Sequence, residues 1–117
     1  MKLSLYGTAR DREALTEALA GLPDCSYRNI RVTDFADYDS FIAGLGSDPP
    51  ECVVVMRNGA EGMEGVIAAR DLLKDVPVIW FSDDNAFGVQ SYRLGCAYFH
   101  EKPVSSRILS AAIAKCV

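Results

Sequence analysis

The sequence has little histidine, no closely spaced cysteines and no long apolar run, and each shortage excludes a class of protein. Its four cysteines, Cys25, Cys52, Cys96 and Cys116, form no Cys-x-x-Cys pair, and His100 is the single histidine. A zinc site draws on several such ligands at short spacing, so no metal site is expected. We expect the cysteines to stay reduced and to pack as small core residues.

Neither a membrane nor a nucleic acid is indicated as a partner. No apolar run approaches the roughly 20 residues that span a bilayer, and the first residues show no signal-peptide pattern. The expected location is therefore cytoplasmic. Twelve basic residues are scattered along a chain with a net charge of −4 and a pI of about 4.9. The chain by itself is therefore not expected to bind nucleic acid.

The sequence does contain enough apolar material for one core. It has 117 residues, 50% of them hydrophobic, which predicts a single folded domain over residues 1–117. Residues 52–56 read Cys-Val-Val-Val-Met, an unbroken apolar run typical of a strand buried on both faces of a parallel sheet. Ligand sites in such sheets gather just beyond the strand ends, so the first candidate site residue is Arg57.

Apolar periodicity predicts five strands that alternate with five helices. The strands are expected at residues 2–6, 26–32, 52–56, 78–81 and 97–99, the second at a sheet edge because polar and charged residues interrupt it. The helices are expected at residues 8–22, 34–45, 63–73, 85–94 and 104–116. A Thr8–Asp11 capping box should open the first, and Gly95 should end the fourth. Pro103 is expected at or near the first turn of the last helix. This alternation predicts an α/β fold in which helices cover both faces of a parallel sheet.

Four short motifs resemble the receiver domain of two-component response regulators. They are Gly-Met-Glu-Gly at 62–65, Val-Pro-Val-Ile-Trp-Phe-Ser at 76–82, Gly-Cys-Ala-Tyr-Phe at 95–99, and Lys102-Pro103. The segment 82–95 is most similar to receivers that precede LytTR-type DNA-binding domains. The resemblance implies a flavodoxin-like (βα)5 fold, with a doubly wound parallel five-stranded sheet of strand order 2-1-3-4-5.

The resemblance fails at the residues that carry phosphorylation chemistry. Counting back from Gly65, the phosphoacceptor aspartate of the family corresponds to Arg57, and its Mg²⁺-binding acidic pair corresponds to Gly7 and Thr8. Because Mg²⁺ needs carboxylate oxygens, losing these three negative charges and gaining one positive charge should abolish its binding. We therefore predict a degenerate receiver, a pseudo-receiver, with no phosphoryl-transfer activity, no enzymatic role and no cofactor.

Other positions of the family's pocket are retained. The family's Ser or Thr corresponds to Ser82, and its Lys-Pro pair corresponds to Lys102 and Pro103. Its switch aromatic corresponds to Phe99, which lacks the hydroxyl of tyrosine. The pocket is thus predicted to keep these surrounding residues while lacking the phosphoacceptor aspartate.

The resemblance places Arg57 and Lys102 face to face, and two semi-buried like charges need a partner. Asp83 or Asp84 is expected to neutralise Arg57, since a carboxylate is the usual partner of a semi-buried arginine. The alternative is that Arg57, Lys102 and Ser82 together hold an anion such as phosphate or a small acidic metabolite.

A second class of function starts from residues 6–10, Tyr-Gly-Thr-Ala-Arg, which superficially resemble the opening of a flavodoxin phosphate loop. Backbone amides at a helix N-terminus can hold phosphate, so the alternative function is an anion- or nucleotide-binding flavodoxin-like module. The segment is poorer in Thr and Gly than a flavodoxin loop, and aromatic loops that clasp a flavin are missing. A flavin absorbance spectrum would separate the two functions.

The resemblance also implies a partner face, formed by the fourth helix, fifth strand and fifth helix. Tyr92, Tyr98 and Phe99 are the candidate residues there, although core packing is an equal alternative for Phe99. We expect a protein partner or a homodimer through this face. The predicted function is a signalling module that acts by protein–protein interaction or phosphorylation-independent regulation, one alternative being the regulatory half of a transcription regulator.

Overall fold

The computed structural model describes residues 1–22 and 29–116. This part of the chain forms five parallel strands: β1 (Lys2–Tyr6), β2 (Arg31–Phe35), β3 (Cys52–Val55), β4 (Val78–Ser82) and β5 (Tyr98–Glu101). It also forms five α-helices: α1 (Ala9–Ala20), α2 (Tyr38–Ser47), α3 (Gly59–Leu72), α4 (Gly88–Arg93), preceded by a 3₁₀ turn at Asn85–Phe87, and α5 (Ser106–Ala114). The strand order β2-β1-β3-β4-β5 confirms the predicted fold class. Among the described residues, no helix combines the length and apolar character needed to cross a membrane.

Two apolar cores lie on opposite faces of the sheet, because successive side chains of a strand point to opposite faces. Cys52 and Val54 of β3 belong to the core that contains residues of α1 and α5. Val53 and Val55 belong to the core that contains residues of α2 and α3, and Trp80 of β4 is fully buried there. This double burial explains why the central strands are continuously apolar.

Short capping signals set the ends of several helices. The predicted capping box is present: the Thr8 hydroxyl accepts the Asp11 N–H at 3.1 Å, and the Asp11 carboxylate accepts the Thr8 N–H at 2.8 Å. The Asp37 carboxylate caps α2 by accepting the Ser40 N–H, and the Ser105 hydroxyl caps α5 by accepting the Ile108 N–H. Gly95 follows α4 with φ +77°, which confirms it as the predicted helix stop.

The second strand lies at the sheet edge as predicted, but its bounds were predicted wrongly. The chain from Arg31 to Phe35 pairs residue by residue with β1, whereas residues 26–32 were expected to form the strand. Residues 26–28 lie outside the described part of the chain. Phe35 was assigned to the next helix, yet it ends β2 and packs its ring 6.1 Å from that of Phe41. The helix begins later because Asp37 provides its cap.

The last strand and helix also begin later than predicted. The pairing of β5 with β4 starts at Tyr98 and continues to Glu101. Ser105 accepts the Ile108 N–H at 3.2 Å, so α5 begins at Ser106. Pro103 therefore lies in the connecting loop ahead of the helix, and its predicted place at or near the first turn was wrong.

Candidate functional site

The predicted site residues gather at one edge of the sheet. Gly7 and Thr8 follow β1, Arg57 follows β3, Ser82 ends β4 and Lys102 follows β5. These four strands are adjacent and parallel, so their carboxyl ends meet. The structure therefore brings together the loops that the sequence analysis selected.

The guanidinium of Arg57 is held by three contacts on the α2 and α3 side of this edge. It donates to the backbone carbonyl of Ala36, lies 5.4 Å above the ring centroid of Tyr6, and approaches the Glu61 carboxylate to 3.6 Å. Burial raises the pKa of the Tyr6 phenol, and the Arg57 charge opposes that rise. Arg57 thus links the loop after β3 to the loop after β2.

The expected ion pair between Arg57 and Asp83 or Asp84 was wrong. Arg57 lies over the ring of Tyr6, which belongs to the core on the α2 and α3 side of the sheet, and this places its guanidinium near Glu61 in the first turn of α3. The Asp83 N–H instead donates to the side chain of Asn58 at 3.0 Å. The Asp84 carboxylate accepts the Ala86 N–H at 2.8 Å and caps the turn before α4.

Lys102 does not face Arg57, which corrects a second expectation. Its ammonium donates to Asp11 Oδ1 at 3.0 Å and also to the backbone carbonyl of Met56. The side chains of Lys102 and Asp11 are only 18% and 13% exposed, so this pair is largely shielded from water. The two cations of the site are therefore separated, and each has its own carboxylate.

Asp11 is a site residue that the sequence analysis used only as a helix cap. Its Oδ2 accepts the Thr8 N–H while its Oδ1 accepts the Lys102 ammonium. A Cβ added at Gly7 would lie 2.9 Å from the Asp11 Cβ, so the Asp11 side chain fills the space beside that position. The sequence did contain a signal for this role, because Asp11 was predicted in the first turn of α1, and that turn lies at the same sheet edge as Lys102.

The resulting cavity is small and its charges are internally balanced. It has a volume of about 140 Å³ and is lined by Thr8, Asp11, Met56, Arg57, Asn58 and Glu61. Both carboxylates that line it are paired with cations, Asp11 with Lys102 and Glu61 with Arg57. Within residues 1–22 and 29–116, no cluster of three or more His, Cys, Asp or Glu side chains is arranged to hold a metal ion.

Ser82 is fully buried, and its hydroxyl forms a hydrogen bond with the backbone of a nearby residue. The hydroxyl oxygen accepts the Asp84 N–H at 3.3 Å, and the Ser82 carbonyl accepts the Lys102 N–H at 2.8 Å. Ser82 therefore holds the loop after β4 and the loop after β5 in place.

Phe99 packs inward and connects to position 57 through Trp80. The Phe99 ring meets the Trp80 ring edge-on with centroids 5.3 Å apart. The Trp80 indole N–H donates to the Arg57 carbonyl at 3.2 Å. The indole of the single tryptophan thus contacts the backbone of Arg57.

The three aromatics predicted for a partner face have different surroundings. Tyr92 on α4 is 86% exposed, and Val89, one turn earlier, is 59% exposed. Tyr98 is half-buried and packs its ring near those of Phe81 and His100. A groove of about 420 Å³ lies beside Tyr98 and His100, with Ser105, Arg107, Ile108 and Ala111 on its other side.

No protein-family model matches the sequence, and no curated protein matches it significantly. Solved structures do match. The CpaE2 pilus assembly protein of Sinorhizobium meliloti 1021 superposes with a TM-score of 0.77 at 21% identity, over 100% of both chains. The chemotaxis response regulator CheY4 of Vibrio cholerae has a TM-score of 0.77 at 15% identity, over 99% of this chain and 98% of its own.

A two-component response regulator of the LuxR family from Aurantimonas sp. SI85-9A1 has a TM-score of 0.75 at 17% identity, over 97% of this chain and 81% of its own. This chain has the fold of a response-regulator receiver. Identities of 15 to 21% in these three matches establish the fold and leave the chemistry to the residues of the site. In this fold, Gly7 and Thr8 directly follow β1, and Arg57 follows Met56 in the loop after β3.

Proposed function

We propose that this chain is a pseudo-receiver: a signalling module that works through protein contacts and does not accept a phosphoryl group. The observation that carries the proposal is the commitment of Arg57 to Ala36, Tyr6 and Glu61 at the position matching the phosphoacceptor. A guanidinium has no oxygen to form an acyl phosphate. Its positive charge also repels the divalent cation that phosphoryl transfer to a receiver needs.

The paired charges support a pocket whose conformation is set without phosphate. Arg57 ties the loop after β3 to Ala36 in the loop after β2. Lys102 ties the loop after β5 to Asp11 and to the end of β3 at Met56. Mg²⁺ would have to displace one of these cations from its carboxylate, and nothing in the cavity offsets that loss.

The first test is a titration with Mg²⁺ and beryllofluoride followed by Trp80 fluorescence. Because the Trp80 indole donates to the Arg57 carbonyl, a ligand bound at this site changes the environment of the fluorophore. We expect the parental chain to show no saturable change in fluorescence. A saturable response at millimolar Mg²⁺ would overturn the proposal.

The matched variant for this titration is Arg57→Asp, which removes the cation and places a carboxylate at the same position. Because Arg57→Asp adds one carboxylate and frees that of Glu61, we expect it to respond to millimolar Mg²⁺, at which the parental chain does not respond. Urea unfolding of both chains, followed by the same fluorescence, checks that Trp80 reports structural change in each.

We further propose that the module acts through the face formed by α4, β5 and α5, with a protein partner or a second copy of the chain. Val89 and Tyr92 lie one turn apart on α4 and leave large apolar side chains in water. The outer edge of β5 is unpaired within the described sheet, so its backbone groups are open to a partner. The similarity of segment 82–95 to LytTR-associated receivers supports a transcription regulator as the larger context.

Analytical ultracentrifugation tests the homodimer. We expect the parental chain to shift from monomer to dimer as its concentration rises, and Tyr92→Ala to weaken this shift at least tenfold, since buried aromatics dominate many interfaces. Leu72→Ala is the matched control, because Leu72 is a 49% exposed apolar residue on α3, outside the face. Equal weakening by both variants, or a chain that stays monomeric, would contradict the homodimer.

A further inference from the structure

Two cysteines that are far apart in the sequence lie against each other in the fold. The sulfur of Cys52 is 3.3 Å from the sulfur of Cys116, although the two residues are 64 positions apart in the chain. Cys52 is the first residue of β3 and is fully buried. Cys116 follows α5 and is partly exposed, where its N–H donates to the Ile113 carbonyl at 2.9 Å.

We propose that Cys52 and Cys116 are a dithiol that a hydroperoxide oxidises to an intramolecular disulfide. The sulfurs of a disulfide are about 2.05 Å apart, so the two atoms must approach by roughly 1 Å. Cys116 lies beyond the last helical residue, where the backbone can adjust more easily than inside the sheet. For these two cysteines the proposal replaces the expectation from the sequence that they stay reduced, and it does not rest on the proposed signalling function.

The two thiols differ in a way that gives each a separate role. Once Cys116 is ionised, its thiolate can accept a hydrogen bond from the Cys52 thiol, and this contact lowers the pKa of Cys116. The same contact, together with burial, raises the pKa of Cys52. Cys116 is thus both the more accessible and the more acidic thiol, and thiolates are the form that reacts with peroxides.

The reaction proceeds in two balanced steps. The Cys116 thiolate attacks the peroxide O–O bond, takes one oxygen to form a sulfenic acid, and releases the other oxygen as hydroxide or alkoxide, which then takes up a proton. The Cys52 sulfur attacks the Cys116 sulfur, the S–S bond forms, and the departing hydroxide leaves as water with the Cys52 proton. The two thiols are oxidised and the peroxide is reduced to water and, for an organic peroxide, an alcohol.

Cys96 provides the internal comparison. It is half-buried, and burial raises its pKa to about 11 while the Arg70 charge opposes the rise. No cysteine sulfur approaches it among the described residues. We therefore expect Cys96 to react slowly and to form no disulfide with Cys52 or Cys116.

The test is hydrogen peroxide treatment of the folded chain, followed by peptide mapping and thermal unfolding. In the parental chain we expect a peptide that links Cys52 to Cys116, with the loss of two hydrogen atoms. A Cys25→Ser/Cys96→Ser variant keeps only the two thiols of interest. Its oxidised form should melt about 10 °C above its dithiothreitol-reduced form, because the link closes a long loop of the unfolded chain.

Two further variants separate the roles of the two sulfurs. Adding Cys116→Ser should abolish the reductant-sensitive rise in melting temperature. Adding Cys52→Ala should leave a sulfenic acid at Cys116 that dimedone traps. Three results would overturn the proposal: no link between Cys52 and Cys116 in the folded chain, a link that forms only in urea, or sulfinic acid at Cys116 beside an unmodified Cys52.

Discussion

Gly62→Ala is expected to lower the free energy of unfolding by about 3 kcal/mol, which is a fall of about 10 °C in melting temperature. A Cβ at position 62 would overlap the Arg57 carbonyl oxygen and lie 2.6 Å from Trp80 Nε1. The obstacle includes backbone, so it cannot rotate away as a flexible side chain would. The added methyl group would also push apart the hydrogen bond between Trp80 and Arg57 at the site.

Urea unfolding monitored by circular dichroism measures this effect. Gly46→Ala is the control, because Gly46 is a glycine of α2 whose Cβ would meet nothing within 4 Å. That variant should gain about 0.5 to 1 kcal/mol, since alanine restricts the unfolded chain and suits a helix. Similar losses in both variants would mean that the close packing at Gly62 is not the cause.

Asp11→Ala is expected to lower the free energy of unfolding by about 2 to 3 kcal/mol. The Lys102 ammonium would keep the Met56 carbonyl but lose its carboxylate at a position that is only 18% exposed. Removing one member of a largely buried ion pair leaves the other poorly compensated. The capping box of α1 would be lost as well, since Asp11 accepts the Thr8 N–H.

Two variants divide this loss between the helix cap and the ion pair. Asp11→Asn keeps an oxygen that can accept the Thr8 N–H but removes the charge, so its loss should lie between zero and that of Asp11→Ala. A double-mutant cycle of Asp11→Asn with Lys102→Met should give a coupling energy of about 1 to 2 kcal/mol. Glu13→Ala, on the exposed side of α1, should change stability by less than about 0.5 kcal/mol. A coupling energy near zero would contradict the ion pair.

Apolar periodicity and punctuation by Gly, Pro and Thr were enough to predict a parallel sheet covered by helices on both faces. The strand order and the loops of the site were predicted from the resemblance to receivers. The continuous apolar runs at residues 52–55 and 78–81 required a sheet covered on both faces, and the fold provides it. The edge position of β2 was also predicted, but its bounds were not. An apolar residue at position 35 fits the end of a strand as well as the start of the helix that carries Phe41. Apolar periodicity therefore did not place the boundary between β2 and α2.

The contacts of the site were predicted less well than its position. The choice of Glu61 over Asp83 or Asp84 as the partner of Arg57 depends on the direction in which the Arg57 side chain leaves the loop after β3. The pairing of Lys102 with Asp11 joins residues 91 apart in the chain, and no local pattern contains that distance. Which side chains meet at this edge depends both on the order of the strands in the sheet and on the direction in which each side chain points.

By itself, the sequence determined the class of the fold, and through its resemblance to receivers it gave the strand order. It also states that Gly7, Thr8 and Arg57 stand where the resemblance implies carboxylates. These properties depend on residue type and short-range spacing, which a sequence states directly. Only the tertiary structure decided that Arg57 and Lys102 point to different carboxylates and that Cys52 meets Cys116. Those contacts arise where distant segments pack together, and the geometry of that packing is set by the whole sheet and its helices.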